Sequence, residues 1–341
     1  MNRQQAIRGV LLGTAVGDSI GLPYENLSPG RIARLAPTPL AHRLLPGRGM
    51  LSDDTEHTYM VGCALTRSME PAAFQRTLAW QLRLWLWALP GGIGFATLRA
   101  LIKLSIGISP RRSGVFSAGN GPAMRAALIG VVAPEEQIRP LTEASSTITH
   151  TDPRAVEGAV VVAILARWLM EDSERPAAET LRALADVCRE EALASWLRQA
   201  AGVAERRGEV SVLVTEMGLQ RGVTGFVLHT VPVAVFIALT APSFSAAIES
   251  AVRLGGDTDS VGAIVGALSG VRFGPGAIPE GWVAGIADWP LNVGRLEDLA
   301  ETLDGGGRAP FLPFPLTLLR NVGVFIPVIL LHVFRRLLPP Y

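Results

Sequence analysis

Apolar residues recur at helical spacing along most of the chain, and the two-residue alternation of a half-buried strand is scarce. The pattern predicts an all-α protein. Residues 156–171, VEGAVVVAILARWLME, are apolar nearly all round and read as a buried helix. Residues 177–200 read as one Ala/Leu-rich amphipathic helix ending near Gly202. The segment 232–241 starts on Pro232 and stops before Pro242, matching helix start and stop signals. Ser243 or Ser245 can cap a following helix over 246–254. From Pro90 to Gly121 the chain is punctuated by Gly, Ser and Pro, which predicts loops around one helix near 96–105. No internal repeat of fixed period is present.

A glycine run followed by prolines, from Gly305 to Pro315, divides the chain into a helical domain, residues 1–304, and a tail, residues 305–341. Within the tail, 321–334 (NVGVFIPVILLHVF) carries no charge and is followed by Arg335 and Arg336. At helical rise it spans roughly 21 Å, short of a hydrocarbon core of ~30 Å, and Pro327 interrupts it. Two readings stay open: a helix docked on the protein body or a partner, and a shallow membrane-surface anchor over 316–338.

Composition narrows the function. Lys and Arg number 31 against 30 Asp and Glu, with no clustered basic face, so there is no electrostatic footprint for nucleic acid. Cys63 and Cys188 lie far apart in apolar or helical surroundings. They argue against a disulfide framework or a thiolate metal site, and fit a reducing, cytoplasmic compartment. The N-terminus carries no secretory pattern.

The chemistry concentrates where charge meets apolar helix. In 254–270, LGGDTDSVGAIVGALSG, Asp257 and Asp259 stand between a Gly-Gly pair and an apolar run. Helix grammar is one account: the glycines end one helix, Asp257 caps the next, and Asp259 sits in its first turn. Residues 51–65, LSDDTEHTYMVGCAL, repeat the construction with Ser52, Asp53 and Asp54. If the two helix starts meet, four carboxylates share one site. Helix N-termini supply only about half an elementary charge each, too little to hold them all ionised. Two divalent cations would neutralise the cluster, and all-oxygen ligands favour Mg²⁺ or Mn²⁺ over Zn²⁺.

Other stretches carry weaker signals. In 9–25, GVLLGTAVGDSIGLPYE, Gly13, Gly17 and Gly21 share a helix face, which suits close approach of a ligand or plain helix packing. Glu25 lies past the helix end, either free to reach a site or simply solvated. Residues 117–127, SAGNGPAMRAA, make a Gly-rich turn whose amides would suit a phosphate. In 149–159, THTDPRAVEGA, His150 precedes a buried helix that Asp152 can cap. His57, four residues after Asp53, is open to a supporting, a surface or a catalytic role; His42, His229 and His332 form no ligand spacing.

Taken in order, GxxxGDSIGxPxE, SDDT, SxGNGxxMR, THxDPRA and GGDTDSVGAIVGA resemble the ADP-ribosylglycohydrolase family, from about Gly9 to about Gly274. The resemblance implies an orthogonal multi-helix bundle with a cleft holding two Mg²⁺ or Mn²⁺ ions. It implies metal ligands at Ser52, Asp53, Asp54, Asp257, Asp259 and Ser260. It places Glu25 near the scissile bond, and Ser117, Gly119, Asn120, Gly121 and His150 along the ADP-ribose site. The implied reaction hydrolyses the bond between C1″ of ADP-ribose and its acceptor on a protein or small-molecule conjugate. Asp54, Asp257 or Glu25 would act as base toward water. Three rivals are an ADP-ribose-binding module without turnover, a metal-dependent hydrolase of phosphoesters or of small-molecule or nucleic-acid conjugates, and a membrane or partner tether in which the tail is the main feature and the domain its cargo. Glu56 and His57 depart from the pattern, which usually has an uncharged residue after SDDT.

Overall fold

The computed structural model describes residues 1–335, and Arg336 with the end of the 316–338 segment lies outside them. The all-α expectation holds: among the described residues, extended pairing is limited to isolated bridges. Helices cross at the centre of one continuous apolar core.

At that centre the Arg3–Gly21 helix lies antiparallel to the Thr258–Phe273 helix. Both carry small residues at four-residue spacing, and the two stripes face each other. An added Cβ would fall 2.2 Å from Gly270 O at Gly9, 2.1 Å from Gly266 O at Gly13 and 1.9 Å from Gly262 O at Gly17. The N-terminal glycine stripe therefore serves helix packing, not a ligand. The antiparallel register sets the end of one helix, with Asp18, against the start of the other, with Asp257 to Ser260.

The Pro153–Glu171 helix is capped by Asp152, whose carboxylate accepts from the Arg154 amide. Ser243 caps the Phe244–Arg253 helix in the same way. Three sequence expectations need correction. The helix expected from Pro232 begins at Val227, so Pro232 lies inside it. The segment 177–200 is two helices, Ala177–Val187 and Glu191–Glu205, broken where Cys188 turns to extended backbone. The tail helix is longer than its uncharged part: it runs from Phe314 to Phe334, 21 residues with an 18-residue stretch of mean hydropathy 1.9, and is long and apolar enough to cross a membrane.

That tail helix is docked on the body. Arg320 and Asn321 are buried, and Phe325 packs with Leu22, Leu44 and Met50. Its backbone widens to a π turn over Asn321–Phe325, where the Ile326 amide bonds the Asn321 carbonyl. Pro327 follows directly; it has no N–H to continue the ordinary ladder, so the slip in register falls where the ladder is already broken. Tyr59 Oη, 2.9 Å from Pro310 O, ties the linker down.

Candidate metal centre and cleft

A cleft of about 480 Å³ opens beside the two helix starts. Glu25, Asp53, Asp257, Asp259 and Ser260 border one side of it; Ser117, Gly119, Asn120, Gly121 and His150 border another. Ser52 and Asp54 lie buried beneath it. The residues implied as metal ligands and as the ADP-ribose wall, with Glu25, thus lie in or directly beneath one cleft.

The Gly255–Gly256 pair makes this possible. Both adopt positive φ, +70° and +85°, as the chain leaves the Phe244–Arg253 helix. The pair threads between two loops: Gly256 N bonds Leu27 O at 2.9 Å, and Val223 N bonds Gly255 O at 2.9 Å. A Cβ at Gly256 would stand 2.1 Å from Val223 O, so only glycine fits both the conformation and the space. Asn26 N bonds Gly256 O at 2.7 Å, which brings Glu25 to the acidic pair. One carboxylate oxygen from each of Glu25, Asp257 and Asp259 lies within 4.8 Å of the others.

Capping does not explain these aspartates. Asp257 makes no side-chain cap bond to its helix; its Oδ2 accepts from Asn120 Nδ2 at 2.6 Å. Ser52 does cap the Asp53–Leu65 helix, through the Asp54 amide, and its hydroxyl donates to Asp54 Oδ2 at 3.0 Å. Ser260 Oγ reaches the same Asp54 oxygen at 3.4 Å, joining the two motifs.

Asp18 is a member the sequence reading missed. Fully buried, it accepts from Ser52 N at 2.9 Å and from Thr55 N at 3.3 Å through Oδ2, and holds the first acidic loop from behind. Its signal was legible: a carboxylate in the last turn of an otherwise apolar helix opposes the macrodipole and needs another reason to be there.

The electrostatics are those of a site short of positive charge. Burial, and then the charges of neighbouring carboxylates, drive Asp53, Asp54 and Asp259 well above the ordinary carboxylate range. Burial also raises Asp257, and pushes Asp18 up to about 6. Among the described residues no ion pair engages Asp53, Asp54, Asp257 or Asp259. Buried Arg125 lies behind Asp53 and favours its ionised form, but its donors go to Ser145, Thr149 and the His57 ring. Asp54 Oδ1 and Asp18 Oδ1 are buried with no hydrogen-bond partner. Orphaned carboxylate oxygens, hydroxyls and a second acidic loop at bonding reach make an all-oxygen donor set that fits a hard divalent cation.

The opposite wall is neutral and closely packed. Asn120 is held by its amide to Gly225 O at 2.9 Å, and its carbonyl accepts from Ala123 N and Met124 N. Those three amides are taken, so only part of the loop's backbone is left for a phosphate. Gly119 and Gly121 crowd His150, with a Cβ at either coming within 3.0 and 3.1 Å of its ring. Burial, and then Arg125, lower His150 to about 3, which keeps the imidazole neutral. His57 is no surface residue: it is fully buried, edge-on to Trp85.

A family model described as ADP-ribosylglycohydrolase matches residues 1–310. The chain belongs to this family. It is 31% identical over 313 residues to an uncharacterized protein of Archaeoglobus fulgidus, covering 88% of this chain and 96% of the other. It is 25% identical to the ADP-ribosyl-[dinitrogen reductase] glycohydrolase of Rhodospirillum rubrum, over 81% and 88% of the two chains. It is also 25% identical to the ADP-ribosylhydrolase ARH3 of Danio rerio, over 87% and 89%. A solved ADP-ribosylglycohydrolase-related protein complex superposes with a TM-score of 0.66 at 26% identity, covering 88% of this chain and 97% of that one. The family's fold and the acidic cleft thus coincide in one molecule.

Proposed function

We propose that this chain is a metal-dependent glycohydrolase that cleaves the bond between C1″ of ADP-ribose and its acceptor, reversing ADP-ribosylation. The observation that carries the reading is the convergence of Glu25, Asp257 and Asp259 within 4.8 Å, over a buried Asp54, at the edge of a cleft large enough for a nucleotide. The named activities of the Rhodospirillum rubrum and Danio rerio relatives support it.

Ser52, Asp53, Asp54, Asp257, Asp259 and Ser260 would hold two Mg²⁺ or Mn²⁺ ions. When bound, such ions polarise ribose hydroxyls and lower the pKa of a neighbouring water. The chain's own groups do the rest. The Asn120 amide fixes Asp257 from the cleft side. Glu25, steadied by the Asn26 amide at 3.0 Å, takes a proton from the attacking water. The water oxygen bonds to C1″ while the C1″–acceptor electron pair leaves with the acceptor, through an oxocarbenium-like transition state. The wall of Ser117, Gly119, Asn120 and Gly121, backed by neutral His150, would receive the ADP-ribose.

The test is release of free ADP-ribose from arginine-linked and serine-linked ADP-ribosylated proteins, with and without Mg²⁺ or Mn²⁺. Metal-dependent release supports the reading and names the acceptor. Binding of ADP-ribose without release from any conjugate would refute it in favour of a binding module; AMP or inorganic phosphate as product would refute it in favour of a phosphoesterase.

For location, the reading is a cytoplasmic protein that rests its tail on a bilayer surface. Leu319, Val322, Leu330 and Phe334 form an exposed apolar face on a helix whose other side is docked. Buried Arg320 and Asn321 are bonded into the body and would have to be torn out for the helix to cross a membrane. Co-flotation with anionic vesicles, abolished by Leu330→Glu with Phe334→Glu, is the expected result; absence of flotation refutes it.

A further inference from the structure

Two features lie outside the site described so far: Glu56, a charge one turn after the acidic loop, and a tail that continues beyond the matched residues 1–310. In the structure they meet. Arg320 of the tail is 2% exposed, and its guanidinium lies 3.6 Å from the Glu56 carboxylate. Its Nε donates to Asp288 Oδ1 at 3.0 Å, and its Nη2 donates to Asp288 Oδ2 and, at 2.6 Å, to the carbonyl of Leu51. Asp288 in turn accepts from the Leu51 amide at 2.8 Å. Asn321 Oδ1 takes a fourth bond from the guanidinium at 2.9 Å, and the ring of Phe325 covers its face at 3.9 Å. Glu56 is also held by Trp85 Nε1 at 2.6 Å.

We propose that Arg320 is a positioning residue for the metal centre, by which the tail clamps the loop that carries Ser52, Asp53 and Asp54. The proposal rests on the reading of that loop as metal-binding. Both backbone groups of Leu51 are gripped, the carbonyl by Arg320 and the amide by Asp288, and the next amide, Ser52, by Asp18. Three consecutive backbone points are thus fixed immediately before the two aspartates. An arginine can do this because its planar fork presents several donors at fixed angles; a lysine ammonium is a point charge and cannot span the same acceptors. Asp288 and Glu56 are both buried and both pair with this one guanidinium, so removing the tail's cation takes an ion-pair partner from each. Glu56 and the tail are one feature rather than two.

The test uses the full chain stripped of metal and titrated with Mn²⁺, with free Mn²⁺ read by its paramagnetic resonance signal, on wild type, Arg320→Lys, Arg320→Gln, Asp257→Asn and Leu184→Ala. Leu184 is a core residue of the Ala177–Val187 helix, and its truncation lowers melting temperature without touching the loop. Groups that orient metal ligands typically contribute about 10–100-fold in affinity, so Arg320→Lys is expected to weaken Mn²⁺ binding about tenfold and Arg320→Gln more. Leu184→Ala should bind as wild type. Adding Glu56→Gln to Arg320→Gln should recover melting temperature, because it removes one unpaired buried carboxylate, but not Mn²⁺ affinity. Wild-type affinity in folded Arg320→Lys overturns the proposal, and that variant alone decides if Arg320→Gln does not fold. Equal weakening in Leu184→Ala overturns it too, by tying affinity to global stability. Wild-type affinity in Asp257→Asn would instead overturn the metal-site reading itself.

Discussion

Replacing Gly17 with alanine tests the central helix pair and, through it, the site. The new Cβ would stand 1.9 Å from Gly262 O, 2.4 Å from its carbonyl carbon and 3.0 Å from Ala263 N. All three are backbone atoms of a helix, so no rotamer change relieves the contact. Even a favourable carbon–oxygen approach needs about 3.3 Å, so the helices must part locally by about 1.4 Å. Overpacking of this kind costs about 3 kcal/mol, and alanine returns about 1 kcal/mol of helix propensity, leaving a net loss of about 2 kcal/mol. At about 2.1 cal/mol/K per residue, a chain of 341 residues then melts about 3 °C lower. The control is Gly30→Ala, in the Pro29–Leu35 helix, where a Cβ meets nothing within 4 Å. Scanning calorimetry on both should show Gly17→Ala falling and Gly30→Ala level or rising. Since Asp18 follows Gly17 directly, Gly17→Ala should also bind Mn²⁺ less tightly. If Gly17→Ala melts with Gly30→Ala, the helices do not touch backbone to backbone and the argument fails.

Three further outcomes follow from the site. Asp257→Asn should weaken Mn²⁺ binding by calorimetric titration and nearly abolish ADP-ribose release; normal turnover would sink the dinuclear reading. Glu25→Gln should keep Mn²⁺ but slow hydrolysis by about 10²–10⁴-fold, as expected for a proton-transfer group, whereas loss of metal would make Glu25 a ligand. Because burial and mutual charge raise Asp53, Asp54 and Asp259, the metal-free folded state holds protons that the unfolded chain has released. Its stability is therefore fullest below the ordinary carboxylate range and falls as pH rises through the raised values, with Asp18, at about 6, adding to the loss between about pH 4 and 6. The rise in melting temperature on adding Mg²⁺ should accordingly be larger at pH 8 than at pH 5; an equal rise at both would contradict this.

The parts of the fold that local chemistry dictates were legible. Ser52, Asp152 and Ser243 cap helices where hydroxyls and carboxylates precede apolar runs. What failed was decided elsewhere. The break at Cys188 has no glycine or proline to announce it, and Pro232 is tolerated in a helix interior that is buried on all sides. Both are tertiary outcomes that override local signals. At the site, the paired acidic loops were legible because two aspartates before an apolar helix exceed what a cap requires. Asp18 and Asp288 were not singled out: the place of Asp18 in a last helical turn was a signal that something else held it there, but only the chain's path shows that both aspartates grip the loop between Gly49 and Asp53. The role of Glu56 needed Arg320, 264 positions away, and no pattern at helical spacing connects them.

Helix capping and metal binding make opposite demands on an aspartate, and that contrast is what the cleft resolves. A cap turns its carboxylate back onto its own helix amides, as Asp152 does. Asp257 turns away, held by Asn120 from across the cleft, and the half-buried Asp53 borders the cleft. Both carboxylates are thereby left at a cleft crowded with other carboxylates, an arrangement that folding alone opposes, since burial acts against ionisation of both and neighbouring charges act against it at Asp53. The cost is offset only if something enters that prefers concentrated negative oxygen. The glycine contacts between the central helices bring the two helix starts together, Asp18, Asp288 and Arg320 hold the loop backbone at Leu51 and Ser52, and on the proposed metal-binding reading the donor set is formed before a cation binds. A chain that needed those carboxylates only for stability would have paired or replaced them; this one builds a scaffold to keep them together.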